Sequence, residues 1–115
     1  MAITIYGIKN CDTMKKARAW LEQRGIVHVF HDYKASGIDK TRLLGWVAEH
    51  GWETVLNRAG TSFRALPEAE KTGLDAEKAV ALMLANPSLI KRPVLDLGER
   101  RLVGFKPELY AAALG

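Results

Sequence analysis

Residues 2–33, AITIYGIKNCDTMKKARAWLEQRGIVHVFHDY, decide the fold of this chain. The β-branched run 2–6 predicts a buried strand, and the amphipathic pattern that follows predicts a helix from about Asp12 to Arg24. A second strand is predicted over 26–33. A strand–helix–strand unit of this length indicates two parallel strands joined by a right-handed crossover.

The remaining sequence predicts a helical middle, then a hairpin and a last helix. Helices are predicted over 40–50 and 76–85 and from 106 onward, short helical pieces at 53–56 and after 67, and a polar loop over 57–64. Asp39 and Asp75 are expected to cap the two longer helices. A turn at 98–100 between two apolar runs predicts the hairpin. This order predicts an α/β fold, a small mixed sheet flanked by helices.

Composition limits the function classes. The chain has 115 residues, 48% of them apolar, and one cysteine, so we expect a single domain without an internal disulfide. No stretch is long and apolar enough for a signal peptide or a bilayer span, and we expect no membrane partner and a cytoplasmic location. The net charge of +4 suits a small anionic ligand as well as a weak nucleic-acid contact. Trp20, Trp46 and Trp52 are expected to pack in the core, so nucleic acid is not the expected partner.

Cys11 is the candidate nucleophile. It lies at the start of the predicted helix, where unpaired backbone N–H groups and the helix dipole favour a thiolate. Lys9 and Lys15 add positive charge nearby and are predicted to stabilise the thiolate. The positive charges of Lys15 and Lys16 interact unfavourably with the helix dipole so near the N-terminus. Departures of this kind from local stability rules tend to mark functional sites. The alternatives are a buried structural cysteine and a solvent-facing Lys16.

The neighbours of Cys11 narrow its chemistry. Met14 stands where a dithiol oxidoreductase would carry its second cysteine, so an external thiol must release any adduct, and glutathione is the abundant candidate. Ala17 stands where a cysteine phosphatase needs its arginine, which excludes that class. His28 and His31 are predicted to point to opposite faces of a strand, and we expect no metal site.

Arg92 is the candidate anion-binding residue, in the segment Lys91-Arg92-Pro93 before an apolar strand. A guanidinium grips an oxyanion or a carboxylate bidentately. X–Pro bonds are trans by default. The alternative for Arg92 is an ordinary surface arginine.

Four segments, 7–17, 57–61, 90–94 and 103–107, together resemble the arsenate reductase (ArsC) family, most closely its Spx/YffB-like branch. The resemblance covers essentially the whole chain. It implies a thioredoxin-like (glutaredoxin-like) fold with a mixed four-stranded sheet, in a single domain 1–115 with a helical insertion at about 38–90. It also implies a cis peptide before Pro93.

In the enzymes of this family a cysteine attacks arsenate, three arginines hold the oxyanion, and glutathione with glutaredoxin completes the reduction. Carried over, the resemblance implies Cys11 as nucleophile and Arg92 with Pro93 at the anion site. Asn57, with Arg58 beside it, takes the position of a second arginine. Lys106 replaces the third and keeps the charge but loses the planar fork.

The sequence therefore predicts a monothiol, glutathione-dependent reductase without a bound cofactor, with glutathione or another small thiol as partner and glutaredoxin as a further candidate. Two alternatives stay open. One is a non-enzymatic adaptor related to Spx, whose members bind RNA polymerase and sense oxidation through a CxxC motif that Met14 removes here. The other is true arsenate reductase activity.

Overall fold

The computed structural model describes residues 3–114, so Ala2 of the first predicted strand lies outside the described residues. The strands are β1 (Thr4–Gly7), β2 (Val29–Asp32), β3 (Val94–Asp96) and β4 (Arg101–Val103). The helices are α1 (Asp12–Gln23), α2 (Tyr33–Ser36), α3 (Lys40–His50), α4 (Trp52–Val55), α5 (Thr61–Arg64), α6 (Glu68–Lys71), α7 (Ala76–Ala85) and α8 (Pro107–Leu114). A 3-10 turn covers Pro87–Leu89.

The described chain forms two compact units. One contains the residues up to Tyr33 and those from Arg92 onward, and the other is Lys34–Lys91. The second unit overlaps the predicted insertion at about 38–90. That residues 1–115 act as a single domain stays a prediction. No helix among residues 3–114 has both the length and the apolar character needed to cross a membrane.

The first unit holds a four-stranded sheet with the order β2-β1-β3-β4. β1 runs parallel to β2 and antiparallel to β3, with Ile5 opposite Leu95, and β3 pairs antiparallel with β4. Helix α1 connects the parallel strands β1 and β2. Four strands with both parallel and antiparallel pairs confirm the mixed four-stranded sheet that the family resemblance implies.

The core of this unit lies between the sheet and helices α1 and α8. Its buried residues come from two central strands, both helices and the residue after β3: Ile5, Met14, Ala17, Trp20, Leu21, Leu95, Leu97 and Tyr110. The Tyr110 ring forms T-shaped contacts with Trp20 and Phe105, with centroids 5.6 Å and 4.9 Å away. Burying these side chains fixes α1, and with it the residue at its N-terminus, against the sheet.

The end of α1 shortens the second predicted strand. Gly25 adopts a φ of 66°, and the N–H of Ile26 returns to the carbonyl of Leu21 at 3.0 Å, which satisfies a free carbonyl of the last turn. Ile26 therefore completes the helix end instead of starting a strand. β2 begins only at Val29, and Tyr33, predicted as its last residue, begins α2.

In the second unit the predicted caps are confirmed. The Asp39 carboxylate accepts the N–H of Arg42 at 3.0 Å, and that of Asp75 accepts the N–H of Lys78 at 2.8 Å. The polar loop predicted over 57–64 is wrong in its last part, where Thr61–Arg64 forms a helix. The N–H groups of Arg64 and Ala65 donate to the carbonyls of Gly60 and Thr61, which forms a single helical turn. The segment is polar and lacks the apolar periodicity from which a helix is predicted.

Candidate functional site

Cys11 occupies the N-cap of α1, with extended backbone angles of φ −136° and ψ 124°. Its carbonyl accepts the N–H of Lys15 at 3.0 Å, the first hydrogen bond of the helix. The residue is partly buried and packs against the core of the first unit. The thiol therefore lies where the free N–H groups of the first turn converge, as the sequence predicts.

The surroundings of Cys11 favour the thiolate. Partial burial raises the pKa of the thiol, but the N–H of Met14, the hydrogen bond and charge of Arg92, and the N–H of Thr13 together outweigh burial. The net result is a pKa below that of an ordinary cysteine. Although the thiol makes no capping hydrogen bond of ordinary geometry, these N–H dipoles stabilise negative charge on sulfur. The thiolate of Cys11 is therefore favoured over that of an ordinary cysteine.

Strand pairing positions Arg92. Tyr6 pairs with Val94, so the start of β3 lies beside the end of β1, which leads into the loop before Cys11. The Arg92–Pro93 peptide is cis, as the family resemblance implies. Pro93 is buried, and its carbonyl accepts the N–H of Gly104 at 2.8 Å. The structure thus brings together two predicted site residues that are distant in the sequence.

Tyr33 is a neighbour of Arg92 that the sequence analysis did not single out. Its side chain is 1% exposed, and its ring stacks on Tyr6 with the centroids 6.4 Å apart. Burial raises the pKa of Tyr33, the positive charge of Arg92 opposes that effect, and the Tyr6 hydroxyl adds to it. Arg92 therefore influences the pKa of Tyr33 as well as that of Cys11. The predicted topology could have identified Tyr33 as a residue near the site. Parallel strands β1 and β2 end at the same edge of the sheet, so Tyr33 after β2 lies at the edge where β1 leads toward Cys11.

Lys15 belongs to α1, and Lys9 lies in the loop before this helix. Both line a cavity of about 230 Å³ with Arg18, Glu22, Ile8 and Phe30, which we call the α1 groove. The groups that lower the pKa of Cys11 are backbone N–H groups and Arg92. The role of the two lysines in stabilising the thiolate therefore stays a prediction.

The other predicted anion-binding residues have different surroundings. Lys106 is exposed and directly precedes α8, where its carbonyl accepts the N–H of Tyr110 at 3.1 Å. Asn57 and Arg58 belong to the second unit. The N–H of Asn57 bonds to the carbonyl of Leu89 at 2.8 Å. Their part in binding an anion stays a prediction.

The exposed side chain of Arg58 already has neighbours in the second unit. It lies 4.0 Å from the carboxylate of Glu53, and its guanidinium lies 5.6 Å from the centre of the Trp52 ring. Within residues 3–114, no group of three or more His, Cys, Asp or Glu side chains is arranged to hold a metal ion. A protein without metal or bound cofactor stays a prediction.

Comparison with known families decides the class. The model of the ArsC family matches residues 6–113. The chain belongs to the ArsC family. A solved structure of a protein named YFFB is 65% identical, covers 99% of this chain and 100% of its own, and superposes with a TM-score of 0.97. An arsenate reductase (ArsC) related protein from Brucella melitensis is 56% identical over 97% of this chain and 93% of its own, with a TM-score of 0.79.

A regulator is also similar to this ArsC chain. The global transcriptional regulator Spx of Streptococcus mutans is 27% identical over 97% of this chain and 82% of its own length. The likeness to YFFB and to ArsC-related structures confirms the thioredoxin-like fold and the branch expected from the sequence. These relatives include both reductase-related proteins and a regulator. They support membership of a thiol-based reductase family but do not identify a substrate for this protein.

Proposed function

We propose that this protein is a glutathione-dependent monothiol reductase in which the Cys11 thiolate is the nucleophile. The observation that carries the proposal is the lowered pKa of Cys11 at the N-cap of α1 beside Arg92. A thiolate attacks sulfur, whereas a protonated thiol does not, so a lower pKa raises the reactive fraction at neutral pH. Membership of the ArsC family supports the same chemistry.

The proposed reaction has two exchanges. The Cys11 thiolate attacks the glutathionyl sulfur of a mixed disulfide; a new S–S bond forms as the old one breaks, and the substrate leaves as a thiolate that takes a proton from water. A glutathione thiolate then attacks the glutathionyl sulfur on Cys11, which regenerates the Cys11 thiolate and yields glutathione disulfide. The net reaction converts one mixed disulfide and one free glutathione into the substrate thiol and one glutathione disulfide.

The need for an external thiol follows from the chain itself. Cys11 is the only cysteine. Met14, at the position of a second thiol, is 1% exposed and belongs to the core. We propose glutathione as co-substrate, glutaredoxin as a candidate recycling partner, and the reducing cytoplasm as the compartment.

Arg92 is proposed to hold the anionic part of the substrate while it stabilises the thiolate, with Lys106, Asn57 and Arg58 as further candidates. A guanidinium offers donors in a planar fork, so Arg92 can satisfy a carboxylate without losing its charge effect on sulfur. Pro93 fixes the start of β3 next to it.

The test is turnover of a glutathionylated peptide by wild type and Cys11→Ser, with the folded state checked by circular dichroism. We expect Cys11→Ser to fold and to lose all protein-dependent turnover. Retained turnover in the folded variant would contradict the mechanism. Mass spectrometry of wild type after glutathione disulfide treatment should show a single glutathionyl adduct that free glutathione removes.

The similarity to Spx favours one second candidate, an adaptor that binds RNA polymerase without redox control. That function needs no activated thiol. Pull-down of purified RNA polymerase by both wild type and Cys11→Ser, together with an inert thiol, would favour the adaptor. A reactive thiol without a stable complex would favour the reductase.

Arsenate is the third candidate, because a 56% identical structure is described as arsenate reductase related. Reduction of arsenate with glutathione and glutaredoxin supplied together tests it. Lys106 and Asn57 stand where the family resemblance expects arginines, so we propose disulfide substrates before arsenate.

A further inference from the structure

Four charged side chains line the α1 groove. Lys9, Lys15 and Arg18 supply three cations to its lining and Glu22 supplies one carboxylate. Among residues 3–114, no ion pair within 4.0 Å engages any of these four side chains. Charged groups gathered around one cavity and left unpaired there are suited to a ligand of complementary charge.

Arg18 is held in place for such a role. Its guanidinium lies over the Phe30 ring, 4.7 Å from the centroid. Its Nε is buried and has no hydrogen-bond partner within the described residues. Leaving a buried donor unsatisfied is costly, and a ligand oxygen that reaches this donor would remove the cost. Stacking on an aromatic ring keeps the fork of the guanidinium in one orientation.

Residues on both sides of the nucleophile in the sequence line the groove. Lys9 and Lys15 flank Cys11 in the sequence, and the N–H of Lys15 bonds to the Cys11 carbonyl at 3.0 Å. Lys15, Arg18 and Glu22 follow helical spacing, so they form one stripe along α1. With a rise of about 1.5 Å per residue, that stripe extends about 10 Å from Lys15 to Glu22.

We propose that the α1 groove binds the carboxylate-bearing end of the thiol that resolves the Cys11 adduct. This inference rests on the proposed function and names the class of thiol: a small peptide thiol with one end that carries an α-carboxylate for Lys9, Lys15 and Arg18 and an ammonium group for Glu22. The γ-glutamyl end of glutathione has this pair of charges. The cavity of about 230 Å³ is smaller than the range of about 300–1,000 Å³ typical of whole-ligand pockets, so it takes one end of the molecule.

Direct binding tests the groove without the chemistry. Cys11→Ser protein is titrated with S-methylglutathione, which cannot exchange disulfides, and backbone amide shifts are followed by NMR. We expect shifts at Lys9, Lys15 and Phe30. Adding Lys15→Gln or Arg18→Gln should weaken binding by about two- to fivefold each, as expected for a partly exposed ion pair. Lys16→Gln is the matched control, since Lys16 is exposed and lies outside the groove.

Three results would overturn the groove as the thiol site. Shifts confined to other residues would place the ligand elsewhere. An equal loss of affinity in Lys16→Gln would show that the weaker binding reflects the net charge of the protein and not contacts in the groove. Displacement by inorganic phosphate at matched ionic strength, with an affinity equal to that of S-methylglutathione, would indicate a general anion site.

Kinetics separates failure of the groove from failure of the proposed function. Reaction of Cys11 with glutathione disulfide is compared with its reaction with uncharged 2-hydroxyethyl disulfide. Arg18→Gln should slow only the first reaction, by about two- to fivefold. If wild type reacts with both and Arg18→Gln leaves the ratio unchanged, the groove proposal fails and the reductase stands. If Cys11 reacts with neither, the reductase fails, and the binding titration alone decides the groove.

Discussion

Arg92 lowers the pKa of the Cys11 thiol, both through hydrogen bonding to the sulfur and through its positive charge. Burial alone would raise the pKa of this thiol, and the residue would then be an inert, partly buried cysteine. Arg92 and the first-turn N–H groups of α1 reverse that balance. The same Arg92 charge also opposes the rise that burial causes in the pKa of Tyr33, so one cation acts on both groups.

Replacing Arg92 with Gln should raise the pKa of Cys11, because both the hydrogen bond and the charge that favour the thiolate are lost. Alkylation by iodoacetamide at neutral pH should slow, and its pH midpoint should move upward. The measurement is the alkylation rate as a function of pH, with Cys11→Ser as the blank. Arg100→Gln is the control, since Arg100 is exposed in the turn between β3 and β4. An unchanged midpoint in Arg92→Gln would contradict the role given to Arg92.

The same lowered pKa makes stability depend on pH. Between the pKa of Cys11 in the folded state and the value of about 8.5 in the unfolded chain, only the unfolded state holds the proton. The free energy of unfolding of wild type relative to Cys11→Ser should therefore rise with pH across this window. The contribution is fully present above the unfolded value and disappears as the pH falls through the folded value. Urea titrations of both proteins at several pH values measure it; a difference that falls with pH would contradict the lowered pKa.

The sequence was sufficient for elements whose signals are local. Helix α1, the helices capped by Asp39 and Asp75, and the terminal hairpin follow from periodicity, capping and turn residues. The position of Cys11 at a helix N-cap was local in the same way. These features need no knowledge of distant contacts.

The neighbours of Cys11 depend on contacts between distant segments. The pairing of β3 with β1 brings Arg92 to the edge of the sheet where Cys11 follows β1. The family resemblance implies this proximity, whereas the local sequence pattern around either residue does not. Tyr33 has a strand-like sequence, yet it starts α2 and is buried beside Arg92. In the α1 groove, Phe30 comes from β2 and the cations come from α1 and its preceding loop. Sequence patterns therefore identify the lysines but not the cavity that they line.

Gly7 and Met14 should be strongly coupled in stability. A Cβ built on Gly7 would overlap the Sδ of Met14, which fills the space beneath the strand end. Gly7→Ala should cost about 1–3 kcal/mol by overpacking, and Met14→Ala about 2–5 kcal/mol by leaving a cavity. In the double variant the new methyl group occupies part of that cavity, so the combined cost should be at least about 1 kcal/mol below the sum.

Chemical denaturation of the four proteins measures this coupling. Gly45→Ala is the control, because nothing lies within 4 Å of a Cβ built there within α3. It should stabilise the protein by about 0.5–1 kcal/mol through the helix preference of alanine over glycine. If the two costs are additive in the double variant, the contact with Met14 is not what makes a side chain at position 7 destabilising.

Tyr110→Phe should stabilise the protein, by about 1 kcal/mol. The Tyr110 hydroxyl is buried without a hydrogen-bond partner among residues 3–114, and removing such a group relieves its desolvation cost. The ring contacts with Trp20 and Phe105 remain in the variant. Tyr110→Ala removes these contacts and should cost about 3–5 kcal/mol, which separates the role of the ring from that of the hydroxyl.

The pH dependence gives an independent check on Tyr110. Burial raises its pKa, so the folded state favours the neutral phenol, and the resulting stability is fully present below the unfolded value of about 10. As the pH rises above that value toward the folded pKa, the contribution is lost, because ionisation is easier in the unfolded chain. Wild type should therefore lose more stability than Tyr110→Phe above about pH 10. Equal alkaline losses in thermal denaturation of the two proteins would mean that the hydroxyl reaches water or a partner in solution.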